Sequence, residues 1–297
     1  MSVMPAEDVT VPATDGFPLG ATLFRPQSTG GSAGPFVIIA SGTGIRRRFY
    51  ANYAAYLCDR GFSVLTFDYR GIGDSRPASL FGFQATMRDW GEKDLAGVID
   101  WIAATLGAAC VLLVGHSAGA QLLGLAANNR QIGAMLSVAG QSGYWGNWPP
   151  PRKYLVASLW YVLVPAVTAI LPWFPSSWAR LGEDLPGGVA RQLARWCRHP
   201  DYMVDDAGTP LRSYFIRFRA PIRYYSFDDD HYAPRKAVQS LMSWYSFSQQ
   251  TGRHVRPSDF GLSSIGHFGF FRAPDGLRLW PETAEWLIRQ VDGGRAR

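Results

Sequence analysis

Residues 111–119, which read Val-Leu-Leu-Val-Gly-His-Ser-Ala-Gly, constrain the fold of this 297-residue chain more than any other stretch. Four apolar residues predict a buried strand, and the sequence of residues 120–127 is compatible with a helix. A chain that passes from strand to helix this quickly needs small neighbours, and glycines flank Ser117 at positions 115 and 119. The pattern predicts a nucleophile elbow, in which a serine hydroxyl projects from a sharp turn. The alternative interpretation is a plain turn of small residues.

The order of the predicted elements indicates the fold class. Strand-like apolar runs occur at residues 36–40, 62–67, 111–114 and 134–139, and helical patterns separate them. This alternation predicts an α/β fold with a mostly parallel, doubly wound sheet. The alternation stops at residue 140 and resumes near residue 221. We therefore expect an α/β core formed by residues 1–140 and 220–297, with residues 141–219 inserted as a helical cap.

The predicted cap is rich in aromatic residues, with six of the chain's 11 tryptophans. Within it, residues 155–171 carry no charge, and this length lies at the lower edge of what could cross a bilayer. Because Ser158, Pro165 and Thr168 interrupt the stretch, the preferred interpretation is a broken cap helix buried inside the protein. Contact of this apolar segment with membrane lipid is the less favoured alternative.

A serine nucleophile needs a base to accept its proton and an acid to orient that base. In chains with such an elbow the order is serine, acid, histidine. No carboxylate occurs between residues 119 and 183, which excludes an acid directly after the sixth strand. The next predicted strand is followed by Asp228, Asp229 and Asp230. Asp230 is the preferred acid and Asp229 the second choice, and we expect the other two to be solvated or to cap the next helix.

Three histidines follow this acidic segment and are candidates for the base. His267 is preferred because glycines on both sides allow its loop to approach the site closely. His231 is adjacent to the acid and is expected to point elsewhere, while His254 falls in a predicted strand. His116, inside the elbow, is expected to pack beside the nucleophile. The sequence thus predicts Ser117, Asp230 and His267 as catalytic residues.

An acyl-transfer reaction also needs donors for the oxyanion of its tetrahedral intermediate. The backbone N–H of Ala118, directly after the serine, is the first candidate. The second should come from the loop after the third strand, residues 41–44, where the N–H of Thr43 is preferred. A plain turn is the alternative interpretation of this loop.

Nearly the whole chain resembles the α/β-hydrolase superfamily. The resemblance is carried by four motifs: GHSAG (115–119), DYRGIGDS (68–75), DDDHYAP (228–234) and GHFGFF (266–271). The chain is most similar to the capped monoacylglycerol-lipase and serine-aminopeptidase-like branch, and within it to bacterial hydrolases of unassigned substrate. That branch places its acid four residues before a proline, a pattern that Asp230 and Pro234 match. The chain departs from it at Ser41-Gly42, where many relatives have His-Gly.

These features predict a serine hydrolase that cleaves a carboxylic ester of a small or medium-sized apolar substrate through an acyl-enzyme at Ser117. Two alternatives stay open: an acyltransferase with the same triad, and a non-catalytic ligand-binding protein of this fold. Aminopeptidase activity, which the name of the branch suggests, is less favoured. A site for a free amino terminus would need carboxylates, and the predicted cap has few.

Composition narrows the possible partners and the compartment. The chain is 47% hydrophobic, and its net charge of +6 is spread along the sequence apart from three arginines at residues 46–48. The sequence has no nucleic-acid-binding motif, and we expect no nucleic-acid partner. Cys58, Cys110 and Cys197 are odd in number and far apart, which indicates reduced thiols. No signal peptide is visible. We expect a cytoplasmic protein with a small-molecule substrate, no metal and no cofactor.

Overall fold

The computed structural model describes residues 6–26, 34–108, 110–179 and 182–295. Its strands are β1 (Ala6–Pro12), β2 (Pro18–Phe24), β3 (Phe36–Ala40), β4 (Ser63–Phe67), β5 (Val111–His116), β6 (Ile132–Val138), β7 (Trp173–Phe174), β8 (Leu185–Pro186), β9 (Ile222–Phe227) and β10 (Gln250–Val255). Its helices are α1 (Ala51–Cys58), α2 (Met87–Asp89), α3 (Ala96–Leu106), α4 (Ala118–Leu122), α5 (Arg152–Ser158), α6 (Val164–Ile170), α7 (Gly187–Arg198), α8 (Arg235–Met242) and α9 (Trp280–Arg295).

Eight of these strands form one twisted sheet in the order β1-β2-β4-β3-β5-β6-β9-β10. The pairs β1–β2 and β2–β4 are antiparallel, and the other neighbours are parallel. Every residue of β3, β4 and β5 is buried, as expected where helices cover both faces of a parallel sheet. The predicted mostly parallel α/β sheet is therefore confirmed, and β5 lies near its centre.

One long helix between β4 and β5 consists of α2, a π-helical segment (Trp90–Leu95) and α3. Thr86 and Asp89 form a capping box at its start, because each side chain accepts a hydrogen bond from the backbone N–H of the other. The helix ends at Gly107, which has a φ of 56° that glycine adopts without strain.

Residues 141–219 connect β6 to β9 and contain α5, α6, α7 and the short β7–β8 ribbon. A π-helical segment (Leu159–Leu163) joins α5 to α6, so that Arg152–Ile170 forms one continuous helix of 19 residues. The prediction of a broken, buried helix is wrong. Only Val164 and Thr168 are buried in this segment, because a single helix on the outside of the core turns one face inward. Its apolar residues extend around the whole circumference, which leaves the outer face exposed to solvent.

Candidate active site

The turn around Ser117 has the sharp geometry that the sequence predicts. Ser117 lies between β5 and α4 with φ 50° and ψ −113°, a conformation that is strained for a serine. A Cβ atom at Gly119 would lie 2.1 Å from the carbonyl oxygen of Ala40, and one at Gly115 would lie 2.6 Å from the amide nitrogen of Ala120. Both glycines are therefore required by neighbouring backbone, and the turn places Ser117 at the carboxyl end of β5.

The structure brings together the predicted acid and the predicted base. Oδ2 of Asp230 lies 2.8 Å from Nδ1 of His267, and both side chains are buried. The other oxygen of Asp230 accepts hydrogen bonds from the amides of Tyr232, at 2.7 Å, and Ala233, at 3.0 Å. These two amides hold the carboxylate of Asp230 in place. The carboxylate can therefore accept a hydrogen bond from Nδ1–H of His267, which leaves Nε2 of the imidazole without a proton.

The neighbouring aspartates have different contacts. Asp229 accepts hydrogen bonds from the amides of Ile265, at 2.8 Å, and Gly266, at 3.0 Å, and so holds the loop that carries His267. The expectation that Asp229 is solvated or caps a helix is wrong. The loop that contacts its carboxylate lies 36 residues later in the sequence, so no local pattern indicated this contact. Asp228 is exposed, and its carboxylate lies 3.3 Å from Nε2 of His254.

The other two candidate bases, His231 and His254, have contacts that differ from those of His267. The side chain of His231 is exposed, and its backbone carbonyl accepts a hydrogen bond from the indole N–H of Trp148 at 2.9 Å. Nδ1 of His254 lies 2.8 Å from the hydroxyl of Ser226 on the adjacent strand β9.

His116 connects the elbow to the loop of the predicted base. Its Nδ1 lies 2.8 Å from the hydroxyl of Tyr50, and its Nε2 lies 3.0 Å from the backbone carbonyl of His267. The Tyr50 oxygen also accepts a hydrogen bond from the amide of Gly42 at 2.9 Å. The hydroxyl proton is thus free to be donated to Nδ1 of His116, and Nε2–H donates to the carbonyl. Complete burial lowers the pKa of His116 well below its usual value, and nearby His267 adds to this effect, so the ring stays neutral.

Sequence reasoning missed Tyr50, since no local motif marks a tyrosine that pairs with a side chain 66 residues away. It also missed Glu183, which links the segment between β6 and β9 to the predicted oxyanion loop. The amide of Glu183 donates to the carbonyl of Gly44 at 2.8 Å. Its carboxylate accepts hydrogen bonds from the guanidinium of Arg46 and the amide of Gly73. The carboxylate also raises the pKa of Arg46.

The predicted oxyanion loop passes close to the nucleophile. A Cβ atom at Gly42 would lie 3.1 Å from Nδ1 of His116 and 3.5 Å from Cβ of Ser117. Thr43, next in the loop, lines the same cavity as Ser117 and His267. Ala118 is the first residue of α4, where an amide has no acceptor within the helix and the helix dipole is positive. This end of β5 therefore favours the binding of a negatively charged oxygen.

A cavity of about 550 Å³ lies above Ser117, between the core and residues 141–219. Its wall is mostly apolar, and its larger side chains include Trp148, Leu159, Trp160, Phe174, Leu185 and Leu193. No aspartate or glutamate lines it within the described part of the chain. In the same residues, no three His, Cys, Asp or Glu side chains converge as a metal site would require.

Comparisons with known proteins agree with this architecture. The chain is similar to Est1E from Butyrivibrio proteoclasticus with bound ferulic acid, with a TM-score of 0.62 and 16% identity over 96% of this chain and 99% of that one. It is also similar to the esterase Pf2001 of Pyrococcus furiosus, with a TM-score of 0.60 and 15% identity over 97% and 91% of the two chains. At such low identity these similarities show the fold alone.

Two uncharacterized proteins from strains of Mycobacterium tuberculosis are each 40% identical to this chain over 117 residues. The match covers 36% of this chain and 41% of each relative. The chain therefore spans about two fifths of the length of these relatives. The family described as serine aminopeptidase S33 matches residues 31–199, more than half of the chain. The chain therefore belongs to the serine aminopeptidase S33 family of α/β-type hydrolases.

Proposed function

We propose that this protein is a serine hydrolase that cleaves a carboxylic ester of a small or medium-sized apolar substrate. The observation that carries the proposal is the buried hydrogen bond between Asp230 and His267, since His267 lines one cavity with the strained Ser117. In this assignment Ser117 is the nucleophile, His267 the general base and Asp230 the group that orients the base.

The mechanism follows from the hydrogen-bond pattern. Asp230 keeps the proton of neutral His267 on Nδ1, so Nε2 accepts the proton of Ser117 as its oxygen attacks the ester carbonyl. The resulting oxyanion accepts hydrogen bonds from the backbone N–H groups of Ala118 and Thr43. His267 then gives its proton to the departing alcohol, which leaves an acyl group on Ser117. Water repeats the attack, and the acid and free Ser117 are released.

The cavity supports an apolar acyl group in preference to a peptide. Each methylene buried in it contributes about 0.8 kcal/mol at most, or about a fourfold gain in kcat/KM. Longer or aromatic acyl groups should therefore be preferred over acetate. Aminopeptidase action is disfavoured because no carboxylate among the described lining residues could bind a free amino terminus.

The test combines active-site labelling with a substrate series. A fluorophosphonate probe should label the wild type but not Ser117→Ala, and circular dichroism should show that the variant is folded. The p-nitrophenyl esters of acetate, butyrate, octanoate and benzoate then report on the acyl pocket. Labelling of the variant would refute the assignment of the nucleophile, and a steady fall in kcat/KM from acetate onward would refute the apolar acyl pocket.

The products distinguish hydrolysis from acyl transfer, since the same triad serves both reactions. Turnover should release the free acid at the rate of the alcohol, even with a second alcohol or a thiol present. Formation of a new ester or thioester in place of the free acid would identify an acyltransferase.

A further inference from the structure

The helix Arg152–Ile170 exposes a continuous apolar surface. Leu155, Val162 and Ile170 are 69%, 64% and 83% exposed. The other large apolar side chains of this surface, each at least half exposed, are Tyr154, Tyr161 and Leu163. Their exposure shows that all six face away from the core, and we call them the apolar stripe. Since monomeric soluble proteins rarely expose such contiguous patches, the apolar stripe indicates an interaction site.

This helix is also part of the fold. By length and composition it could cross a membrane, with a mean hydropathy of 1.5. However, Val164 and Thr168 are buried against the rest of the protein, and Leu159 lines the cavity above Ser117. Removing the helix from this position would open the cavity and expose its wall. We therefore expect the helix to lie along a surface with its inner face still packed on the core.

A basic groove borders the apolar stripe. A cavity of about 450 Å³ between α6 and α7 is lined by Arg191, Arg195 and Arg198, which we call the arginine groove. Asp206 is the only carboxylate among its described lining residues, and it pairs with Arg195. The groove therefore has a net positive charge. The Nε atom of Arg195 is buried and has no hydrogen-bond partner among the described residues.

Two contacts show that the groove and the stripe are neighbours. The guanidinium carbon of Arg198 lies 5.6 Å from the ring centre of Tyr161. The guanidinium of Arg191 donates a hydrogen bond to the carbonyl of Thr168 at 3.4 Å. Positive charge thus lies directly beside exposed apolar side chains, which is the arrangement of a helix that binds an anionic lipid interface.

We propose that the apolar stripe and the arginine groove together dock this protein on the surface of an anionic phospholipid bilayer. The stripe enters the boundary between headgroups and acyl chains, and the arginines bind lipid phosphates. A second copy of this chain fits less well, because a symmetric contact would bring three more arginines to the same interface. The net charge of +6 also favours a negatively charged surface.

The inference rests on this surface and does not require the proposed ester hydrolysis. It does suggest a route for an apolar substrate. Leu155 is both exposed in the stripe and part of the wall of the cavity above Ser117. The cavity therefore reaches the protein surface where the bilayer would lie.

Co-sedimentation with vesicles tests the proposal. The wild type should bind vesicles of phosphatidylcholine mixed with phosphatidylglycerol at least about tenfold more tightly than phosphatidylcholine alone, and this preference should weaken as salt is added. The double variant Val162→Asp/Leu163→Asp should lose binding to both. Arg195→Gln/Arg198→Gln should lose the anionic preference, by about fivefold per arginine. Neither Val162 nor Leu163 lines the cavity, so folding and hydrolysis of a soluble ester should be unchanged.

Phe247→Asp is the matched control, because Phe247 is 57% exposed and lies outside residues 141–219. It should bind vesicles like the wild type. Equal binding by the wild type and Val162→Asp/Leu163→Asp would overturn the proposal. So would a dimer that this double variant disrupts without any vesicle binding, which would assign the stripe to a second copy. Saturable binding of inorganic phosphate by the wild type without any binding of vesicles would indicate a free-anion site and also overturn it.

Discussion

The hydroxyl of Tyr50 lies 2.8 Å from Nδ1 of His116, and this contact links three separate parts of the site. The amide of Gly42 donates to the same hydroxyl oxygen, and Nε2–H of His116 donates to the backbone carbonyl of His267. One chain of hydrogen bonds therefore connects the proposed oxyanion loop (residues 41–44), the residue before Ser117 and the loop of the proposed base, His267. The groups are buried, so each would be costly to leave unpaired.

Tyr50→Phe should destabilise the protein and impair catalysis. Loss of the hydroxyl leaves the Gly42 amide and Nδ1 of His116 unpaired, which should lower the free energy of unfolding by about 1–3 kcal/mol. The value of kcat should fall more than KM rises, because the proposed oxyanion loop loses its anchor. Tyr69→Phe is the control, since the Tyr69 hydroxyl is buried without a hydrogen-bond partner among the described residues. Equal effects of the two changes in urea unfolding would contradict this role of Tyr50.

Stability should fall as the pH decreases below about 6.5. His116 stays neutral in the folded protein because burial lowers its pKa, whereas in the unfolded chain it binds a proton near pH 6.5. The unfolded state thus binds more protons, and the loss reaches about 1.4 kcal/mol per pH unit from this residue. The free energy of unfolding, measured with urea at several pH values, should depend less steeply on pH for His116→Asn than for the wild type. The same pH dependence for both proteins would mean that His116 titrates equally in the folded and the unfolded state.

The adjacent aspartates should differ in what their replacement changes. Asp230→Asn should lower kcat by about 10⁴-fold, because the orienting carboxylate and its stabilisation of the imidazolium are lost. Asp229→Asn weakens the anchoring of residues 265 and 266, so its effect on kcat should be smaller and accompanied by a lower free energy of unfolding. Asp228→Asn serves as the exposed control. If Asp229→Asn lowered kcat as much as Asp230→Asn without lowering the free energy of unfolding, Asp229 and not Asp230 would be the residue that orients the base.

Glu183→Gln should reduce kcat by about tenfold with little change in KM, a fraction of the loss seen when an oxyanion donor is removed. The change keeps the size of the side chain but weakens its contacts with Arg46 and Gly73, which hold this segment against Gly44 and hence against Thr43. Asp184→Asn is the matched control, because Asp184 bonds only Ser177 among the hydrogen bonds described for it. Steady-state kinetics on a soluble ester compare the two variants. Equal kcat for both would show that Glu183 does not position the loop.

The predictability of each feature depended on how far apart its determinants lie in the sequence. The turn at Ser117 could be predicted because the close approach of strand and helix demands glycines within two residues on either side. The continuous apolar runs of β3 and β5 likewise predicted strands buried on both faces. The choice among three adjacent aspartates could be narrowed but not settled by local chemistry, because all three have the same side chain.

The sequence by itself therefore determined the α/β architecture and the turn at Ser117, since local backbone sterics and apolar patterning act over a few residues. Only the tertiary structure decided that Asp230 contacts His267, that Asp229 holds the loop of His267, and that Tyr50 reaches His116. It also decided that the apolar stripe is exposed, because a helix that is apolar all round does not encode which face the core will cover. Such contacts depend on where distant segments meet, which no local pattern specifies.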